Sequence, residues 1–211
     1  MATQDPGAPA PGADQQYELV IALIDADPDI ERSVVIADQT TLADLHLVIQ
    51  AAMGWTNSHL HMFTTPAGVT YGDSSLDELG DADESDVVVA DVLRAPRDTL
   101  RYEYDFGDSW EHRVGLVAVR SGEQSRPDAP ACIAGKGACP PEDCGGLLGY
   151  RELRDALTNP SAEHDAELRE WAEEMVGLPF DENAFDLAGA DAAVRGLVGN
   201  DGRMRWPNPG G

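Results

Sequence analysis

Lysine is almost missing from this chain: Lys136 is the only one, and 14 basic residues in all face 39 acidic ones, a net charge of −25. A field of that sign repels phosphate backbones and anionic lipid, and it forgoes the counterion release that drives non-specific nucleic-acid binding. Long apolar runs are lacking too, none approaching the ~20 residues of a membrane span. Residues 1–16 have neither the basic start nor the apolar stretch of a signal peptide. Cysteine is scarce and odd in number (Cys132, Cys139, Cys144), so no disulfide framework is expected. Together these absences place the protein in the cytoplasm. Also absent are a Gly-x-Ser-x-Gly elbow, a Ser or Cys beside an evident His base, and a phosphate-cradling glycine loop. Nucleophilic catalysis and nucleotide-triphosphate use lose their usual signatures. Serine recombination lacks its arginine-ringed nucleophile and basic DNA-reading helix.

What is present is an ordinary globular composition, 42% hydrophobic over 211 residues. A chain of that size buries roughly 70% of its unfolded surface without needing a metal or disulfide. The expected organisation is a disordered tail over 1–16, a single domain over 17–198, and a flexible tail over 199–211 that contains Trp206. Tyr17 to Leu23 and Ser33 to Ile36 form a hairpin around a turn containing Pro28. Thr40 or Thr41 caps a helix whose Leu42, Leu45, Val48, Ile49 and Ala52 share a face, and Gly54 ends it. His59 to Thr65 and Val69 to Tyr71 return to strand. Asp73 to Asp91 carries eight acidic residues and no basic one, its first half a surface loop. Val87 to Leu93 fits a strand or a short helical turn.

Thr99 to Phe106 and Trp110 to Val119 are strands joined by Gly107-Asp108-Ser109. The order of elements predicts an α+β fold, a β-grasp-like mixed sheet with one packed helix, followed by a C-terminal helical segment. Residues 121–147 read as one long Pro/Gly/Cys loop, long enough to be functional. Helices follow: one with Tyr150, Leu153 and Leu157, one capped by Ser161 and stopped by Gly177, and a short one near Ala188 to Val198.

Three polar clusters are candidates for chemistry. His59 and His61, two apart on a strand, share a face and make a possible bidentate metal platform, or else cap a sheet edge. A three-residue hairpin loop would set Phe106 opposite Trp110 in the core, Asp105 opposite Glu111 and Tyr104 opposite His112. Gly107 would then supply the positive φ, and Asp108 would clamp the turn. Asp105, Asp108 and His112 could equally serve as ligands or as an acid/base set. In Cys139-Pro140-Pro141-Glu142-Asp143-Cys144-Gly145-Gly146, a stiff entry and an open exit present Glu142 and Asp143, and the loop could close over the histidines and the hairpin. The alternative is an acidic loop that covers a sheet face. The x6 and x4 cysteine spacings match structural zinc poorly.

Several segments in order resemble one family: Thr41-Leu42-Ala43-Asp44-Leu45-His46, Ile49 to Trp55, His59-Leu60-His61 with Phe63, and Tyr104 to His112. Pro140 to Gly146 with Tyr150, Glu163-His164, Trp171, and Phe180-Asp181 with Phe185-Asp186 continue the series. The set resembles the plasmid pRi ORF-3-like family, also described as an insertion-element passenger or resolvase family, from about residue 17 to 198. Two departures occur. An aromatic-Arg-Arg turn after the first proline is replaced by Asp29-Ile30-Glu31-Arg32, and a late asparagine is replaced around Asp191. The resemblance implies the fold and no secure activity.

The functional expectation is a non-catalytic protein-interaction module of an accessory or mobile-element gene, with an unidentified protein partner. Its rival is a metal-dependent, hydrolase-like enzyme holding a divalent ion through His59, His61, Asp105, His112 and Cys144, with Asp108, Glu142 and Asp143 nearby. DNA recombination is disfavoured by charge.

Overall fold

Alternation of apolar and polar residues makes the first strand: β1 (Gln15–Leu23) buries Tyr17, Leu19, Ile21 and Leu23 on one face. It pairs antiparallel with β2 (Glu31–Ala37). Helix α1 (Leu42–Met53) starts where Thr41 Oγ1 accepts a hydrogen bond from Asp44 N at 3.1 Å, and stops at Gly54, whose φ of 93° suits glycine. The computed structural model describes residues 15–75, 79–121, 130–158, 166–176 and 179–207. Beyond α1 come β3 (His61–Thr64), β4 (Thr70–Gly72), β5 (Ala82–Asp83), a 3₁₀ turn at Glu84–Asp86 and the one-turn helix α2 (Val89–Val92). Then follow β6 (Thr99–Tyr104), β7 (Trp110–Ser121), β8 (Ala131–Lys136), α3 (Gly146–Thr158), α4 (Ala166–Val176) and α5 (Leu187–Gly196).

The chain is α+β. Eight strands form one mixed sheet in the order β5-β4-β3-β6-β7-β1-β2-β8, antiparallel except for the edge pair β4–β5. Helix α1 lies on the apolar face, where Leu45, Val48 and Ile49 join Leu19, Ile21, Phe63, Tyr102, Tyr104, Trp110 and Val114 in one core. The opposite face is polar and laced by ion pairs, Arg101 with Glu111 and Arg120 with Glu18. Helix α5 packs on β8 and α1, and its Asp191 accepts from Cys132 N at 3.0 Å. None of the described helices is long and apolar enough to cross a membrane.

Five expectations change. Residues 121–147 are not one loop, because β8 pairs with β2 inside them. The hairpin closes at Tyr104↔Trp110, so Tyr102, not Tyr104, faces His112 and the loop runs from Asp105 to Ser109. Asp105 itself adopts the left-handed conformation (φ 56°), and its Oδ1 accepts from Gly107 N and Asp108 N at 3.0 and 3.4 Å. Aspartate tolerates that region and bonds its own turn, so Asp105 is the clamp expected of Asp108, and Gly107 needs no positive φ. Phe106 leaves the core and is 41% exposed, while the two-residue slip preserves the alternation that buries Trp110. At the other end, Met204 and Trp206 pack against the core, and Arg205 N donates to Leu197 O, so part of the expected tail is docked. Residues 1–14, 122–129 and 208–211, together with Ser161, Glu163-His164 and Gly177, lie outside the described residues.

Arg32 is 2% exposed and has no carboxylate partner among the described residues. Its guanidinium donates to the carbonyls of Ala52 (3.0 Å), Glu31 (2.8 Å), Lys136 (2.8 Å) and Gly137 (3.1 Å), and it sits over the Phe185 ring. Burial pulls its pKa down. Arg32→Ala is expected to lower unfolding free energy by roughly 3–5 kcal/mol in urea titrations, because several buried carbonyls lose their donors. Arg32→Lys should recover little, since an ammonium cannot span the four acceptors. A loss below about 1 kcal/mol would show the contacts to be incidental.

His112 is fully buried, with no side-chain partner for either ring nitrogen among the described residues and only the backbones of Trp110 and Tyr102 beside it, without good hydrogen-bond geometry. Burial holds its pKa down to about 4, from 6.5. Between those values the unfolded chain binds a proton that the folded chain refuses, so stability falls as pH drops through the window. His46, held to about 3 by burial and by His61, acts in the same direction. His112→Leu should therefore flatten the pH dependence of the urea midpoint between about pH 6.5 and 4, by on the order of 1 kcal/mol per unit. An unchanged slope would contradict a neutral buried imidazole.

Candidate functional site

Three loops converge at one corner of the sheet: the turn before β3, the β6–β7 hairpin loop, and the segment from Ala138 to Gly146. Tyr104, buried by strand alternation, joins the first and last. Its hydroxyl accepts from Ser58 N (3.0 Å) and His59 N (3.3 Å) and donates to Glu142 Oε1 (2.5 Å). Glu142 also accepts from the backbone and hydroxyl of Thr56. Trp55 Nε1 donates to Pro140 O at 2.9 Å, and Tyr150 donates to Ala138 O at 2.8 Å. The hairpin is stitched to the same segment by Gly145 N donating to Asp108 Oδ2 at 3.1 Å. Gly146 (φ 67°) lies against Asp108, where a Cβ would come 2.5 Å from the carbonyl oxygen. The loop thus closes over the hairpin, held from both sides.

At the centre of this corner are His59, Asp105 and Asp143, each from a different loop. One ligand atom from each lies within 4.8 Å of the other two. His59 Nε2 is 3.2 Å from Asp143 Oδ1 and 3.7 Å from Asp105 Oδ2. That nitrogen is buried and completes no hydrogen bond. Asp105 spends Oδ1 on its own turn, which leaves Oδ2 facing the imidazole. Ligands about 2.1 Å from one ion, at tetrahedral or octahedral angles, lie about 3–3.5 Å apart, so the set fits a divalent ion after a small closure. One nitrogen and two carboxylates suit a borderline or hard cation. Both aspartates hold positive φ, 56° at Asp105 and 58° at Asp143, a conformation that costs energy and persists where surroundings over-determine it.

The other expected ligands lie elsewhere. β3 begins at His61, so His59 precedes the strand and the two-residue alternation does not place the histidines together. His61 Nε2 pairs with the buried Glu84 Oε2 at 2.7 Å. His112 lies in the core. Cys144 is buried, and burial, then Asp108, pushes its thiol up to about 12, so it offers no thiolate at neutral pH. Glu142 and Asp108 serve as tethers.

A second polar group lies beneath α1. The His46 and His61 rings stack with centroids 3.4 Å apart and planes 1° from parallel. Gln50 Nε2 donates to Tyr102 OH (3.0 Å), whose own hydrogen goes to His46 Nδ1 (2.8 Å). His46 therefore carries its hydrogen on Nε2 and gives it to Asn57 Oδ1 (2.6 Å), and Asn57 N closes the circuit on Gln50 Oε1 (3.1 Å). Glu84 and His46 were not among the sequence candidates. Glu84 is one of eight acids in an acidic run and is singled out only by folding.

A search of solved structures matches a protein of unknown function, MM3350 of Methanosarcina mazei Go1, with a TM-score of 0.71 and 32% identity, over 84% of this chain and 97% of that one. Among curated proteins, the uncharacterized protein y4hQ of Sinorhizobium fredii is 40% identical over 157 residues, 72% of this chain and 78% of its own length. The family model described as plasmid pRiA4b ORF-3-like protein matches residues 15–189, the stretch that holds the whole corner. The chain belongs to the plasmid pRiA4b ORF-3-like protein family.

Proposed function

We propose that this protein is a divalent-cation-binding module, with the ion held at the hairpin corner by His59, Asp105 and Asp143 and its remaining coordination positions completed by a partner molecule. The observation that carries the reading is the buried, unbonded His59 Nε2 facing two carboxylates from separate loops. Three protein ligands leave an ion open to a further donor. Apolar side chains on these loops, Leu60 (47% exposed) and Phe106 (41%), together with Leu148 (71%) at the start of α3, favour a protein as that partner. Binding rather than turnover is favoured because the groups a hydrolase would recruit are otherwise engaged: Glu142 by Tyr104 and Thr56, and Cys144 by its proton. The net charge of −25 speaks against nucleic acid as the partner. Three free cysteines support a cytoplasmic setting, and the plasmid in the family's description supports an accessory or mobile-element gene.

Protein stripped with EDTA and titrated calorimetrically with Mn²⁺, Co²⁺ and Zn²⁺ should bind one of them at one ion per chain. Asp143→Ala alters a side chain that is 75% exposed and should leave folding intact while weakening binding by about 100-fold. Absence of stoichiometric binding, or equal binding by the variant, would refute the site.

A further inference from the structure

The three ligands at the corner come from three separate loops, yet each is one step from a single side chain, Tyr104 at the end of β6. Asp105 follows it in the sequence. His59 N donates to its hydroxyl at 3.3 Å, beside Ser58 N at 3.0 Å. Asp143 follows Glu142, whose carboxylate takes the hydroxyl's own hydrogen at 2.5 Å. One oxygen atom thus accepts from the turn of one ligand and donates to the neighbour of another.

That oxygen is held in place by packing. Tyr104 is fully buried, Trp55 stacks on its ring at 5.0 Å, and the His59 ring meets it edge-on at 5.8 Å. Groups that orient ligands tune an ion site, because they decide which donors reach the ion together. Here the donors are one imidazole nitrogen and two carboxylates. Calcium takes about six to eight oxygens in a flexible shell, and magnesium binds through one or two carboxylates and keeps several waters. Neither gains from a nitrogen. Imidazole beside carboxylate suits the ions from manganese to zinc. Preference for that row therefore depends on keeping His59 Nε2 next to the carboxylates, and Tyr104 is the residue that joins the backbone of His59 to the segment of Asp143.

We propose that the corner takes a first-row transition-metal ion in preference to calcium or magnesium, and that Tyr104 is the positioning residue that sets this choice by presenting His59 and Asp143 to the same ion. The inference rests on the ion reading above and adds to it the class of ion and the residue that decides it. Replacing Tyr104 by phenylalanine keeps the ring and its packing. The loops stay joined through Thr56 to Glu142 and Trp55 to Pro140, so the change acts on the approach of the ligands. With the nitrogen no longer held, the site falls back on carboxylates, and its preference over calcium and magnesium shrinks.

The test is titration of the EDTA-stripped full chain with Co²⁺, read by calorimetry and by the visible absorption of the bound ion, with Ca²⁺ and Mg²⁺ as competitors. The wild-type chain should bind one Co²⁺ and keep it in about a hundredfold excess of either competitor. Tyr104→Phe should weaken Co²⁺ binding by about 10- to 100-fold and change the visible spectrum of what still binds. Glu142→Ala cuts the same circuit from its half-buried end and should do likewise, which keeps the test open if Tyr104→Phe does not fold. Val114→Ala, a core truncation on β7 outside the corner, should lower the urea midpoint and leave Co²⁺ affinity as it was. Failure of the wild type to bind Co²⁺, its displacement by calcium or magnesium, unchanged affinity in both circuit variants, an unchanged spectrum, or an equal loss in Val114→Ala overturns the inference. Only a wild type that binds none of the divalent ions also removes the ion reading.

Discussion

A guanidinium buried among backbone carbonyls is the constraint on which the rest of this structure depends. Arg32 reaches the end of α1 through Ala52, the end of β8 through Lys136 and the following turn through Gly137. Without those bonds the outermost strand, paired only with β2, would have little to fix where it ends. Gly137 must sit close: a Cβ there would come 2.6 Å from Asp29 O, and its φ is 76°. From that fixed point the chain runs directly into Ala138–Gly146, the segment that carries Asp143. A residue deep in the core thus sets where the exposed carboxylate of the corner begins its approach. Neutral carbonyls satisfy the donors without adding a second buried charge, which avoids the doubled desolvation cost of a buried ion pair.

Strand β6 connects the corner to the polar group beneath α1. Its alternation puts Tyr102 and Tyr104 on the core face two residues apart. Tyr102 closes the circuit around His46, while Tyr104 holds the turn of His59 and the carboxylate of Glu142. Trp55 stacks on Tyr104 and meets His112 edge-on, so both polar groups rest on one aromatic layer. That layer also explains why His112, which lies in the most family-specific stretch of sequence, serves packing: its ring is one tile of the layer and is kept neutral by burial.

Much of this was legible in the sequence where local chemistry decides the outcome. Thr41 and Gly54 mark α1 because a hydroxyl cap and a left-handed glycine act within a turn. The two strands of the hairpin are equally plain from their alternation. Its register was not, because a three-residue loop and a five-residue loop preserve the same alternation, and the choice fell to the ability of Asp105 to adopt φ 56°. Strand β8 was hidden among prolines and glycines, since its pairing with β2 and its anchoring by Arg32 are long-range. Asp105, Asp143 and His59 were all visible as candidates, yet their separation from His61, His112 and Cys144 depended on tertiary placement. The tethers Trp55 and Tyr104 lie inside the motifs that carry the resemblance, and that is the signal by which they could have been found.

Charge separates the coat of this protein from its sites. Basic residues are few, and the described ones are largely spent internally, on carbonyls at Arg32 and on acidic partners at Arg101, Arg120 and Arg154. The acids that remain create a field that attracts any cation, but at physiological ionic strength it fades over about 8 Å and cannot choose among cations. Selection has to come from groups shielded from water. For the ion proposed at the corner that group is His59 Nε2 with Asp105, whereas beneath α1 Glu84 is already bonded to His61. In both places an imidazole nitrogen is set against a carboxylate of low exposure, apart at the corner and in direct contact beneath α1. The difference lies in the spacing: His59 Nε2 is 3.7 Å from Asp105 Oδ2 with the exposed carboxylate of Asp143 at 3.2 Å, while His61 Nε2 is 2.7 Å from Glu84 Oε2. The surface supplies concentration, and for the proposed ion the choice is left to the unbonded His59 Nε2 and the two carboxylates that face it.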